Sequence, residues 1–172
     1  IQERDFEYDK RMKCFDFGQN VNEFNNLTDG GRERRITEIT FKVLKWKFGQ
    51  NSSDKELIDS VEKLIEGAGR EIIINYKDKE TRDYKLNIGF QIAPVDNKSK
   101  IIIDYVEKKN SKKLRGSFDL KHYEDIYYLV DKVSGNGQQI TFYPKRTQRA
   151  GIATVGYKTP MTIDIKNLKT IE

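Results

Sequence analysis

Three consecutive stretches between Arg35 and Tyr76 constrain the fold more than anything else in the chain. The run ITEITFKVLKWKF, Ile36–Phe48, is rich in β-branched and aromatic residues and predicts a strand. Ile39, Phe41 and Val43 share one parity there, and Leu44, Trp46 and Phe48 share the other. A strand whose buried parity flips midway implies a bulge near Val43–Leu44 or burial on both faces. The segment SSDKELIDSVEKLIEGAG follows. Ser53 and Glu56 have capping-box spacing, and Leu57, Ile58, Val61, Leu64 and Ile65 fall on one helical face that Gly67 and Gly69 bring to a stop. EIIINY, Glu71–Tyr76, then reads as a second strand.

Before this core lie a strand pair or one long bent strand over Asp5–Phe17, with apolar positions that include Phe6, Tyr8, Met12 and Cys14, and an Asn- and Gly-rich stretch, Gly18–Gly31, that reads as a long loop. After it, Asp83–Ile92 alternates strictly, with Tyr84, Leu86, Ile88, Phe90 and Ile92 inward. That strand pairs with Glu71–Tyr76 through the turn KDKET. Pro94 ends it, the turn PVDNKS follows, and Lys100–Lys108 is the next strand. A similar order returns in the second half. Leu114–Leu120 is a strand, Tyr123, Ile126, Tyr127, Val130 and Val133 mark a helix face, Gln139–Tyr143 is a strand, Lys145–Gly156 is a long arm and Tyr157–Lys166 the last strand. The fold class is therefore α+β: a mostly antiparallel, β-sandwich-like core with two flanking helices and a duplicated strand–helix–strand–strand plan. The expected division is 1–110 and 111–172, sharing one core.

The chemistry available is narrow. One cysteine, Cys14, reads as a buried structural thiol, and one histidine, His122, as a surface residue at a helix start. A zinc set would need several carboxylates beside that histidine, so no metal and no cofactor are expected. Phosphate-loop, nucleophile-elbow, HExxH and CxxC patterns are absent, and no catalytic residues are assigned. Asp104, Glu107 and Lys109 form a nuclease-like spacing that 34% charged residues produce by chance. No apolar run approaches the roughly 18 residues of a membrane span, and none is expected.

Charge is more informative. The formal net charge is +5, and the stretch 132–163 holds no acidic residue while supplying Lys132, Lys145, Arg146, Arg149 and Lys158. Five cations there equal the whole excess, which marks the stretch for an anionic partner. Phe142, Tyr143 and Tyr157 stand beside them, a mixture used by grooves that stack and neutralise single-stranded nucleic acid. The tip of the arm is apolar, with Ile152 and Val155, and suits packing on a neighbouring subunit. Arg32, Arg34 and Arg35 cluster at the head of the expected long strand, as a partner contact or phosphate grip.

Between Gly30 and Lys108 the succession GGRERRITEITFKV, SDKELIDSVEKLI and EIIINYKDKETRDYKLNIGF resembles the N-terminal domain of the distal tail proteins of long-tailed bacteriophages, and more loosely the tail-tube folds. In that family a glycine- and arginine-rich entry precedes a strand, a helix and a strand pair. The resemblance covers about half the chain and carries no diagnostic motif. It implies a non-enzymatic structural subunit of a tail or baseplate ring in a virion, assembling with itself and with other structural proteins. The alternative is a nucleic-acid-binding module that uses the stretch 132–163. Outside a virion the chain reads as cytoplasmic.

Overall fold

The computed structural model describes residues 1–171 apart from Tyr8 and residues 94–96. Tyr8, expected among the first strand's apolar positions, and the turn at Pro94 therefore lie outside the described residues. The fold is α+β with antiparallel sheets, and it divides into two compact units, Ile1–Gly67 and Ala68–Glu172.

The first unit begins with the hairpin β1 (Gln2–Phe6) and β2 (Asp9–Asp16), so Asp5–Phe17 belongs to a strand pair. Three helices follow: α1 (Val21–Asn25), α2 (Asp29–Phe48) and α3 (Ser52–Ala68). Two expectations fail here. Gly18–Gly31 is not one loop, because Asn20 caps α1 and Thr28 caps α2, the Thr28 hydroxyl accepting the Gly31 amide at 3.2 Å.

Ile36–Phe48 is not a strand. Ile36, Ile39, Val43 and Trp46 recur at i, i+3, i+7 and i+10, and Phe41, Leu44 and Phe48 at i, i+3 and i+7, so the same letters that alternate poorly as a strand make two stripes on a helix. The threonines that favour strands are accommodated: Thr37 and Thr40 each donate to the carbonyl four residues back, at 2.9 Å. Trp46 meets Phe15 of β2 edge to face at 6.1 Å, and Lys47 binds Glu3 at 2.6 Å, which fixes α2 on the hairpin. The helix α3 stands where expected, but its first turn is secured by Asn51, which accepts the Asp54 amide at 2.8 Å, and not by Ser53.

The second unit holds two antiparallel sheets. One has the order β10–β6–β5–β4–β3, from β3 (Ile74–Glu80), β4 (Tyr84–Gln91), β5 (Lys100–Glu107), β6 (Lys112–Asp119) and β10 (Lys169–Thr170). The other is β7 (Lys132–Gly135), β8 (Gln139–Tyr143) and β9 (Met161–Asp164). Leu86, Ile88, Ile101 and Ile103 of the first sheet and Ile140, Phe142 and Met161 of the second close on a single core with Leu120, Ile126, Leu129 and Val130 between them. Each such side chain contributes about 1.5–3 kcal/mol by leaving water. Lys79 Nζ of β3 donates to the Val133 carbonyl at 2.9 Å, and Lys77 reaches the carbonyls of Val130 and Asp131, so the edge of one sheet is tied to the chain entering the other.

The β5–β6 hairpin carries full register from Lys100↔Asp119 to Glu107↔Lys112, directly across the boundary expected at 110/111. A division there would cut the ladder, and the chain divides at Gly67/Ala68 instead. The expected second helix shrinks to a 3₁₀ turn, Tyr123–Asp125, and α4 (Ile126–Leu129), because residues from Lys132 pair as β7. The arm contains α5 (Gln148–Ala153). Five α-helices stand in place of two among the described residues, and the strand–helix–strand–strand plan occurs once, not twice, since 36–48 is helical.

Candidate interaction surfaces

Two surfaces, one in each unit, leave apolar or basic side chains exposed. In the second unit, Pro144 turns the chain out of β8 and the Lys145 amide donates to the Tyr128 carbonyl at 2.8 Å, fixing the root of the arm. Thr147 then caps α5 by accepting the Ala150 amide at 3.1 Å, and Ala150 is buried, so α5 is pinned by its inner face. Its outer face is free. Ile152 is 71% and Val155 69% exposed.

All five cations of the acid-free stretch are exposed, and none makes an ion pair among the described residues. Lys132 lies opposite Tyr143 in the β7–β8 register, and both border a cleft of about 430 Å³ with Arg146, Asp131 and Pro144. Arg149 stacks its guanidinium over the Tyr128 ring at 5.8 Å. Lys145, Arg146 and Arg149 therefore share one segment, with Lys132 beside Arg146 at the cleft, while Lys158 follows on the chain beyond the tip.

The aromatic partners are mostly unavailable. Phe142 is fully buried, and Tyr157 is half-buried against Phe118, leaving Tyr143 as the exposed ring of the three. Tyr157 is a latch. Its hydroxyl donates to Asp125 Oδ2 at 2.5 Å and accepts the Lys121 amide at 2.6 Å, while Asp125 also accepts the His122 amide at 3.0 Å. Burial first, then the bond to Asp125, pushes the Tyr157 phenol up to about 12. His122 closes the same turn, its backbone carbonyl accepting the Asp125 amide at 3.1 Å.

Arg32, Arg34 and Arg35 belong to the first unit, on the first turns of α2 and not on a strand. Arg32 donates to the Asn25 carbonyl at 3.0 Å, and Arg35 to Gln19 at 3.2 Å and Glu38 at 3.3 Å, so both hold α1 and the preceding chain in place. Arg34 is exposed beside Gln19, Glu23 and Glu38 in a shallow depression. The carboxylates Asp104 and Glu107 lie on opposite faces of β5, and Asp104 is gripped by Arg115 through two bonds, at 2.5 and 2.8 Å. They do not converge on one ion.

The surface that the sequence did not single out is on α3. Asp59 and Glu62 bind Lys45 of α2, and Ile58 and Ile65 are half-buried on that same side. Leu57, Val61 and Leu64, at i, i+4 and i+7, are 64%, 40% and 56% exposed. Amphipathic spacing marks an apolar face, and only packing reveals that Leu57, Val61 and Leu64 on it have no cover. Compared with family models, with curated proteins and with solved structures, the chain finds no match.

Proposed function

We propose that this protein is a structural or assembly subunit that works by binding other protein chains, without catalysis. The observation that carries the reading is the open apolar flank of α3, Leu57, Val61 and Leu64, in a unit where Phe41 is the single buried apolar side chain among the described residues. Contiguous exposed apolar surface of this kind marks protein contact sites. The projecting tip with Ile152 and Val155 supplies a second contact. A tail or baseplate ring in a virion is the setting the sequence resemblance proposes. Of its element order the helix α3 and the strand pair β3–β4 are present, and a helix occupies the place of the first strand.

The reading is tested by light scattering on the full chain as concentration rises into the sub-millimolar range. Growth in mass beyond 20.2 kDa is expected; a strict monomer that joins no structural protein encoded beside it would end the reading.

The unpaired cations favour one other reading, a nucleic-acid-binding module. Replacing Lys145, Arg146 and Arg149 together with alanine should then weaken binding to single strands, and binding should fall steeply with salt. Binding that ignores salt, or no binding at all, removes this alternative.

A further inference from the structure

We infer that the open flank of α3 is a self-association surface, on which α3 of a second copy of this chain lies antiparallel about a twofold axis. The inference rests on the assembly reading above and names its interface. The flank is long enough for helix pairing, since 17 residues at about 1.5 Å each extend about 25 Å.

Its chemistry is self-complementary. Leu57, Val61 and Leu64 form the seam, and the row beside it on the side away from α2 is small throughout: Ser53, Ser60 and Gly67, seven residues apart. Small side chains beside a leucine seam let two helix backbones approach closely. A Cβ added at Gly67 would meet nothing within 4 Å, so that row opens on free space. The Ser60 hydroxyl already donates to the Leu57 carbonyl at 2.7 Å, so covering it leaves no unmet donor.

Charge selects the occupant and its direction. Asp59 and Glu62 are consumed by Lys45. Glu56 and Lys63 beyond the seam make no ion pair among the described residues. In an antiparallel pair centred between Asp59 and Ser60, Glu56 of each copy stands across from Lys63 of the other, and the twofold axis makes the contact twice. A parallel twofold pair would carry Glu56 and Lys63 of the two copies to opposite flanks of the seam, so neither contact would form.

The test uses the full chain, with mass followed against concentration and helicity checked by circular dichroism. Leu57→Glu with Leu64→Glu should weaken dimerisation at least about tenfold, the effect of charging the centre of an interface. Both side chains already meet water, so the monomer's fold should persist. Glu56→Lys alone and Lys63→Glu alone should each weaken the dimer, and the double exchange should restore it. Rescue supports the antiparallel register. Association that survives the leucine substitutions, or single charge reversals without effect, overturns this interface while the assembly reading stands; a wild-type chain that stays monomeric overturns this interface, and overturns the assembly reading too if it also joins no structural protein encoded beside it.

Discussion

The two units solve the same problem, burying apolar residues, with opposite success. In Ala68–Glu172, two antiparallel sheets enclose a core in which Leu86, Ile88, Ile101, Ile103, Ile140 and Phe142 are fully buried. In Ile1–Gly67 a hairpin and three helices bury Phe41 and leave Ile36, Trp46, Phe48, Leu57 and Leu64 at least 44% exposed. A sheet covered on its apolar face by a second sheet is complete. Helices covered by a two-stranded hairpin are not, because so small a hairpin has too little surface for two amphipathic helices. The contrast puts the packed core in the second unit and open apolar surface in the first.

The sharpest way to break this contrast is to remove a large side chain from the denser core. Phe142→Ala should cost roughly 3–5 kcal/mol, since the void sits between two sheets that cannot both collapse into it. Urea unfolding followed by tyrosine fluorescence would register it. A loss below 1 kcal/mol would mean that the two sheets are not held by this core.

A smaller effect is expected at Gly89, on the pairing of β3 with β4. An added Cβ would lie 2.6 Å from Ile73 Cγ2 and 2.9 Å from the Ile74 carbonyl oxygen. The isoleucine can turn away, but the carbonyl belongs to the ladder beside the irregular register at Asn75/Lys77. Gly89→Ala should therefore destabilise by about 1–3 kcal/mol as an overpacking substitution, and thermal unfolding would check it.

The same contrast explains what could be read from the letters. The strand alternation of Tyr84 to Ile92 matches the structure in part: Tyr84, Leu86, Ile88 and Phe90 are buried, but Ile92 lies beyond the strand and is exposed, and the opposite face is buried at Gly89, where Ile73 and Ile74 pack close. The helix at 52–68 matches because its period is unambiguous. Residues 36–48 support either period, and the choice is made by context: Thr28 caps a helix there, and no strand pairs with it. Val133 reads as the end of a helix face because a four-residue strand carries too few letters to declare itself. At the candidate surfaces, the exposed cations and the apolar tip were legible from composition. The letters offer Tyr157 as a stacking ring but not its bond to Asp125, which lies 32 residues away with nothing local to announce it. Exposure of Leu57, Val61 and Leu64 was illegible for a simpler reason: periodicity shows which face is apolar, not whether anything covers it.

The burial of Tyr157, together with its bond to Asp125, makes the second unit sensitive to alkali. An unfolded tyrosine ionises near pH 10, whereas the folded phenol holds its proton up to about 12. Over that interval the unfolded chain releases a proton that the folded chain retains, so the stabilisation is complete below about pH 10 and is lost as pH rises through 12. Tyr157→Phe should flatten this alkaline decline. Tyr76 and Tyr105, also raised by burial, would leave a residual slope. An unchanged slope, measured by urea titration at several pH values, would show that Tyr157 ionises as freely when folded as when unfolded.

The smallest expected effect is the most discriminating for the first unit. Leu64 lies on the apolar face of α3, and if that face were core, Leu64→Ala would cost the 2–5 kcal/mol of a buried leucine. At 56% exposure it already meets water, so for the isolated chain at low concentration the change should stay within about 0.5 kcal/mol. Alanine also keeps the helix propensity, so the comparison isolates burial. Association alters the outcome through mass action, because a partner that binds only the folded chain raises its apparent stability with concentration. Wild type should therefore unfold at a midpoint that climbs as protein is added, and Leu64→Ala should climb less. Coincidence of the two proteins when dilute and divergence when concentrated would place Leu64 in a contact between chains; a large loss when dilute would place it in the unit's own core.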